Sequence, residues 1–288
     1  NLIQKLPTPV ERQITEELMH LVDLVVVTGS QNNVRSAYRS GTPAIGVGAG
    51  NVSSIIDETA DIDSAAKKIV ISKSFDNSTS CSSENSIIIV DDVYEKTISA
   101  LESEGATLLN SFEKNKLKNT LWNKGILNQN LIAKSALEIS KIIELKRPKI
   151  KKIKVLMVEE NGKGEEYPFS GEKLCPVLTV YRASNFEDAC KQVREIYNYQ
   201  GKGHSIGLHS QDKERPIKIG LIIPACRVIV NQAHCFATGG SFDNGMPFSL
   251  SMGCGTWGKN SISDNLNYRH YMNVVRVVHP IKMEEPNE

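Results

Sequence analysis

One stretch near the start of the chain restricts its fold more than any other. Asp23-Leu24-Val25-Val26-Val27 is an apolar run of strand length, and Thr28-Gly29-Ser30 turns sharply. Gln31 to Arg39 then has helical character, Gly41-Thr42-Pro43 ends it, and Ala44-Ile45-Gly46-Val47 is a second apolar run. A strand, a helix and a strand in this rhythm form the crossover that joins parallel strands, so an α/β fold follows. The rhythm continues downstream. The spacing predicts helices over Val10 to Leu21, from Asp61 through Ala65, Ala66, Ile69 and Val70, over Val93 to Ser103, Ser111 to Leu121, Leu131 to Ile143 and Phe186 to Tyr197. It predicts buried strands over Ser86 to Asp91, Val155 to Val158, Val177 to Tyr181 and Arg227 to Val230.

Charge and cysteine usage exclude several functions. Lys and Arg number 34 against 33 Asp and Glu, a net charge of +1, which argues against binding duplex nucleic acid by bulk charge. The basic run Lys146, Arg147, Lys149, Lys151, Lys152 and Lys154 has no interleaved aromatics and reads as a solvated loop. Apolar runs such as Ile87 to Val90 are far short of the roughly 20 residues that cross a bilayer, so no membrane association is expected. The six cysteines form no Cys-x-x-Cys pair and no zinc spacing, so neither a metal site nor a disulfide framework is expected, and a reduced cytoplasmic setting fits.

Four segments carry candidate chemistry. Val228 to Gly258 has no Lys or Arg and is rich in Gly, Ser and Phe, as site-lining segments often are. Gly253-Cys254-Gly255-Thr256-Trp257-Gly258-Lys259-Asn260 approaches a P-loop, but Asn260 lacks the hydroxyl that would bind magnesium, and no buried strand leads in. Gly46-Val47-Gly48-Ala49-Gly50 hints at a dinucleotide fingerprint without a helix directly after it. Cys81 lies in the polar stretch Asp76 to Asn85 before a buried strand, where a core cysteine is unusual; it is either a nucleophile or a plain exposed thiol. Cys190 and Cys226 read as packing residues.

Several separated segments resemble the aldehyde dehydrogenase superfamily in its CoA-acylating branch. They are Thr28-Gly29-Ser30, Phe75-Asp76-Asn77-Ser78-Thr79-Ser80-Cys81-Ser82-Ser83-Glu84, Glu172-Lys173-Leu174-Cys175-Pro176-Val177, Gly203-His204-Ser205, Leu250 to Gly258 and Asn260 to Ser263. The third departs from the family's Glu-x-Phe-Gly-Pro-Val at Leu174 and Cys175. Ser80 to Asn85, Gly240 to Gly245 and Ser263 to His270 resemble the subfamily acting on sulfoacetaldehyde.

The resemblance implies a partial Rossmann-type cofactor domain over residues 1–74 and a catalytic domain over 75–258. It also implies a C-terminal extension over 259–288 that returns to the cofactor and oligomerisation region. Its first half of the cofactor domain, part of the oligomerisation arm and an oxyanion-binding asparagine would precede Asn1, so the chain reads as N-terminally truncated and nearly inactive alone. The full-length protein is expected to be a homo-oligomer using NAD or NADP, with coenzyme A as co-substrate.

In this reading Cys81 is the nucleophile, and His204 a proton-transfer or CoA-side residue or else a structural histidine. Gly29, Ser30, Val34, Gly48 and Glu172 contact the cofactor. His234, Arg269 and His270 are candidates for the substrate's anionic group, with Arg227 and Lys259 nearby. Val47 stands where hydrolytic members carry the glutamate that activates water, so a thiol is the expected acyl acceptor. Alternatives are an acylating enzyme for acetaldehyde or succinate semialdehyde, an inactive chain with an assembly role, and a binding module built on the glycine-rich segment.

Overall fold

In the computed structural model, which describes residues 2–147 and 152–281, the first crossover folds as its sequence requires. Helix α1 (Arg12–Leu21) leads to strand β1 (Val25–Thr28), helix α2 (Gln31–Arg39) crosses over, and strand β2 (Ala44–Val47) pairs parallel to β1. The Ser30 hydroxyl caps α2 by accepting from the Asn33 N–H, satisfying one of the free donors at the helix start.

The chain then enters a larger sheet. Strand β3 (Val52–Ile56) is followed by helix α3 (Ile62–Ser74), strand β4 (Glu84–Val90), helix α4 (Tyr94–Ser103) and strand β5 (Ala106–Leu108). Helix α5 (Ser111–Leu121), a short hairpin of β6 (Trp122–Asn123) and β7 (Ile126–Leu127), and helix α6 (Ala136–Ile142) cover one flank. Strands β8 (Val155–Glu159) and β9 (Val177–Ala183), helix α7 (Phe186–Tyr199), strand β10 (Ile206–His209), helix α8 (Arg215–Ile222), strand β11 (Val228–Val230) and the short helix α9 (His234–Thr238) complete the fold. The seven strands run in the order β11-β10-β3-β4-β9-β8-β5, every pair parallel.

The two-residue period of a strand splits the core between the faces of this sheet. Ile55, Ile88 and Tyr181 pack under α7 and α8 with Phe186, Val193 and Ile219. Ile56, Ile87, Ile89 and Val180 pack under α3 and α4 with Ile69, Ile98 and Leu101. Buried on both faces, β3 and residues 86–90 of β4 are apolar or small throughout, without alternation.

Three expectations need correction. The chain changes sheets between β2 and β3, not after Ser74, because β3 lies between β10 and β4 in the centre of the large sheet. The helix expected over Leu131 to Ile143 starts only at Ala136. Ala133 takes a left-handed φ of 63° to donate to the Leu174 carbonyl, and Ser135 with Glu138 then forms a capping box. Strands β3, β5 and β10 were not expected from their sequences. In the basic run, Lys149 and Lys151 lie outside the described residues. After residue 258 the chain returns to the first sheet, where Ser261 N–H donates to Tyr38 Oη and Ser261 Oγ donates to the Ala44 carbonyl. Among the described residues no helix is long and apolar enough to cross a membrane.

Candidate active site around Cys81

The small sheet turns the carboxyl ends of its strands, and the large sheet the amino ends of its own, toward one cavity of about 700 Å³. Gly29 and Ser30 after β1 and Gly48 and Ala49 after β2 form one wall. Ser80, Cys81 and Ser82 before β4 form the opposite wall, with Glu172 and Leu174 beside them and Cys235, Ser249 and Met252 from the glycine-rich segment. The volume suits a small-molecule or cofactor site.

A strained turn sets Cys81 at this wall. Asp76, Asn77 and Ser78 have φ of 46°, 48° and 63°, three successive non-glycine residues in the left-handed region, each costing about 1–2 kcal/mol. Side chains hold the turn: Thr79 Oγ1 donates to Asp76 Oδ2 at 2.6 Å, Asn77 Nδ2 to the Ala133 carbonyl at 2.9 Å, and Ser78 Oγ to the Lys73 carbonyl. The backbone at Gly50 presses so close that a Cβ there would collide with the Cys81 carbonyl oxygen.

His204 reaches the same sulfur from β10's side. Its Nε2 lies 3.2 Å from Cys81 Sγ, and its Nδ1 lies 2.7 Å from Ser205 Oγ. The turn before it depends on Gly203, whose φ is 92° and whose missing Cβ leaves room for the Cys254 carbonyl. Burial pushes the Cys81 thiol up to about 12, aided by the Glu172 carboxylate. Burial, and then the Arg227 guanidinium, pull His204 down to about 3. The resting pair is therefore a neutral thiol against a neutral imidazole.

The structure brings some of the expected residues to the site and leaves others away from it. Gly29, Ser30, Gly48, Cys81 and Glu172 line the cavity, and His204 touches Cys81. Val34 does not line it; it is 1% exposed and packs between α2 and the Gly46 backbone. His234 is 1% exposed, with Nε2 turned to Ser205 Oγ at 2.8 Å instead of to the cavity. Arg269 and His270 do not line it either: Arg269 stacks over Tyr268, and His270 Nδ1 accepts from the Asn267 N–H. Val47 is fully buried at the end of β2. Among the described residues no group of three or more metal-ligating side chains gathers, and all six cysteines are free.

Sequence reasoning missed the ionisable groups under the Cys81 turn. Lys73, Glu84 and Lys173 are fully buried. Lys173 Nζ donates to the carbonyls of Phe169 and Gly171, and Ser72 Oγ donates to Glu84 Oε2. The signal in the sequence was weak, because the same helix also carries Asp63, Lys67 and Lys68, and the strand opens on Glu84 and Asn85.

These groups give stability a defined pH dependence. Burial raises Glu84 and Glu172 from 4.5 to about 7. The folded state then holds those protons more tightly than the unfolded chain, so their contribution is complete below pH 4.5 and is lost as pH rises through 7. Burial lowers Lys73 from 10.5 to about 8, so its contribution is present above 10.5 and lost as pH falls through 8. The melting temperature is expected to fall by several degrees between about pH 5 and 7.5, and Glu84→Gln to flatten that fall. A wild-type curve flat over that window would refute this account.

The sequence profile of the aldehyde dehydrogenase family matches residues 2–118. A sulfoacetaldehyde dehydrogenase (acylating) of Cupriavidus necator is 53% identical over all of this chain, which covers 58% of that relative's length. Among solved structures, an acetylating aldehyde dehydrogenase from Geobacillus thermoglucosidasius matches with a TM-score of 0.90 and 35% identity, over 96% of this chain and 61% of that one. A Rhodopseudomonas palustris propionaldehyde dehydrogenase, solved with bound CoA and an acylated cysteine, matches with a TM-score of 0.77 and 26% identity, over 88% of this chain and 56% of that one. The chain thus spans about six tenths of the length of these proteins. With the profile, the whole-chain identity and the parallel-sheet architecture in agreement, the chain belongs to the aldehyde dehydrogenase family.

Proposed function

We propose that the full-length protein is a CoA-acylating aldehyde dehydrogenase in which Cys81 carries the acyl group from an aldehyde to CoA. The observation that carries this reading is the 3.2 Å contact between Cys81 Sγ and His204 Nε2 at the wall of a ligand-sized cavity. The pair rests as a neutral thiol against a neutral imidazole, so the sulfur becomes a nucleophile only as its proton leaves. His204 Nε2 then takes the thiol proton as the sulfur attacks the carbonyl carbon, leaving an oxyanion beside the Cys81 backbone N–H.

The wall opposite Cys81 fits a nicotinamide cofactor, NAD or NADP. The capped N-terminus of α2 and the side-chain-free positions Gly29 and Gly48 open onto the cavity, and the Glu172 carboxylate, anchored by the Gly50 N–H, can accept from ribose hydroxyls. When bound, the cofactor supplies a hydride acceptor. Cys81 then holds a thioester, which the CoA thiolate cleaves as the Cys81 thiolate leaves.

The acceptor is a thiol and not water in this reading, since Val47 places no carboxylate in the cavity. One observation favours a second reading. The Glu172 carboxyl, raised to about 7 by burial, lines the cavity and has the pKa of a general base for hydrolysis.

Sulfoacetaldehyde is the aldehyde we propose, because the relative at 53% identity bears that name. Among the described residues no Lys or Arg lines the cavity, so hydroxyls such as Thr79, Ser80 and Ser249 would meet the sulfonate. Acetaldehyde and succinate semialdehyde are the alternatives.

Full-length enzyme given sulfoacetaldehyde and oxidised cofactor without CoA should accumulate an acylated Cys81 peptide by mass spectrometry, and CoA should discharge it as acyl-CoA. Discharge at the same rate without CoA would favour the Glu172 reading. The kcat/KM for sulfoacetaldehyde should exceed that for acetaldehyde at least about tenfold. Equal values would overturn the substrate assignment alone.

A further inference from the structure

His234 is a buried titratable group beside the site that the reaction above leaves unused. It opens α9, and its Nε2 lies 2.8 Å from Ser205 Oγ, the same oxygen that lies 2.7 Å from His204 Nδ1. Ser205 itself is fixed, fully buried, with its carbonyl accepting from Tyr197 Oη at 2.5 Å. Four groups therefore stand in line: Cys81 Sγ, the His204 ring, the Ser205 hydroxyl and the His234 ring.

The line has a direction. His204 Nε2 can take a proton from Cys81 only if it carries none, which puts the ring proton on Nδ1. That N–H donates to Ser205 Oγ. The hydroxyl has one proton of its own and must donate it elsewhere, and its other neighbour is His234 Nε2. Among the described residues His234 Nδ1 has no hydrogen-bond partner, so nothing there binds the ring to the opposite tautomer.

We propose that His234 is a positioning residue: by accepting the Ser205 hydroxyl proton, it holds His204 in the tautomer whose Nε2 receives the Cys81 proton. This rests on the reading of Cys81 as nucleophile and His204 as its base. The charge of Arg227 acts on both rings, that of His209 on His234, and that of Glu172 on Cys81. None of these three is the acceptor for the Ser205 hydroxyl, and the Arg227 guanidinium donates to the His204 carbonyl instead.

The test is the rate of Cys81 alkylation by iodoacetamide in the full-length enzyme from about pH 6 to 10, read at the Cys81 peptide. Ser205→Ala and His234→Leu are expected to slow alkylation near neutral pH about tenfold, which displaces the rising rate–pH profile upward by about one unit. Ser205→Thr keeps the hydroxyl, and His234→Gln places an amide oxygen where Nε2 stood, so both should recover the wild-type profile. If His234→Leu keeps the wild-type profile while His204→Ala is slowed, the positioning role is overturned and the base stands. If His204→Ala also alkylates at the wild-type rate, the underlying reading of the pair fails. Should His234→Leu not fold, Ser205→Ala against Ser205→Thr decides: loss in the first with recovery in the second supports the role, and equal profiles overturn it.

Discussion

Cys81→Ala in the full-length enzyme is expected to reduce CoA-dependent aldehyde oxidation by about 10⁴-fold or more, with affinity for the nicotinamide cofactor changed less than about threefold. In the proposed reaction both half-reactions pass through this sulfur, so neither would survive its loss. No neighbour can replace it. Cys235 also lines the cavity, but Ser82 Oγ is turned to its sulfur and its carbonyl, and burial raises its pKa. Cys254 is 1% exposed, with its thiol pushed up to about 12 by burial. Cys81→Ser should fare no better, because a serine hydroxyl is far weaker as an acid and as a nucleophile beside a neutral imidazole. The wall proposed for the cofactor is made by the turns after β1 and β2 and the start of α2, so truncating Cys81 leaves it intact. Steady-state rates with a fluorescence titration of the cofactor would check both parts. Residual activity above about one per cent would remove Cys81 from the covalent role.

What could be read from the sequence follows from how each segment is buried. The crossover at 25–47 was legible because its short apolar strands flank a helix whose start, Ser30, caps it. Strand β3 was not, because Ser53 and Ser54 put hydroxyls in its middle. In the fold, Ser53 Oγ meets Ser86 Oγ on β4 at 2.8 Å, a cross-strand bond that makes two polar residues at home in a buried sheet. Strand β10 hid for a similar reason, since Gly207 and His209 interrupt its apolar pattern.

The site shows the same division. Cys81 stood out because a polar loop before a buried strand is an odd place for a cysteine. His204 was legible only through the resemblance, since a single histidine after a glycine turn carries no signal of what it faces. His234 was taken for a substrate residue because it is the only titratable cation in a long segment without Lys or Arg. Its actual contact is with Ser205, and the pairing of residues 205 and 234 exists only once β10 and α9 are packed together.

Arg227 was weighed as a candidate for an anionic substrate, and the structure uses its charge differently. Nε donates to Asn265 Oδ1 at 2.8 Å, Nη1 to the carbonyls of Gly253 and His204 at 2.8 and 3.2 Å, and Nη2 to the Ser263 carbonyl at 3.1 Å. One buried guanidinium thus ties the turn that carries His204 to the returning C-terminal segment. Arg227→Met would leave these acceptors without their donor, and is expected to destabilise the full-length protein by about 3–5 kcal/mol. Arg227→Lys should recover little of this, because a single ammonium cannot match the planar fork that spans four acceptors. Chemical denaturation would measure the loss, and a change within about 0.5 kcal/mol would show that the network carries no weight. The same variants separate the two roles of the charge. If Arg227 acts through the His204 backbone, activity falls equally on sulfoacetaldehyde and acetaldehyde, because the proton acceptor proposed beside Cys81 would serve every aldehyde. A loss confined to sulfoacetaldehyde would instead assign the guanidinium to the sulfonate, against its burial behind the turn.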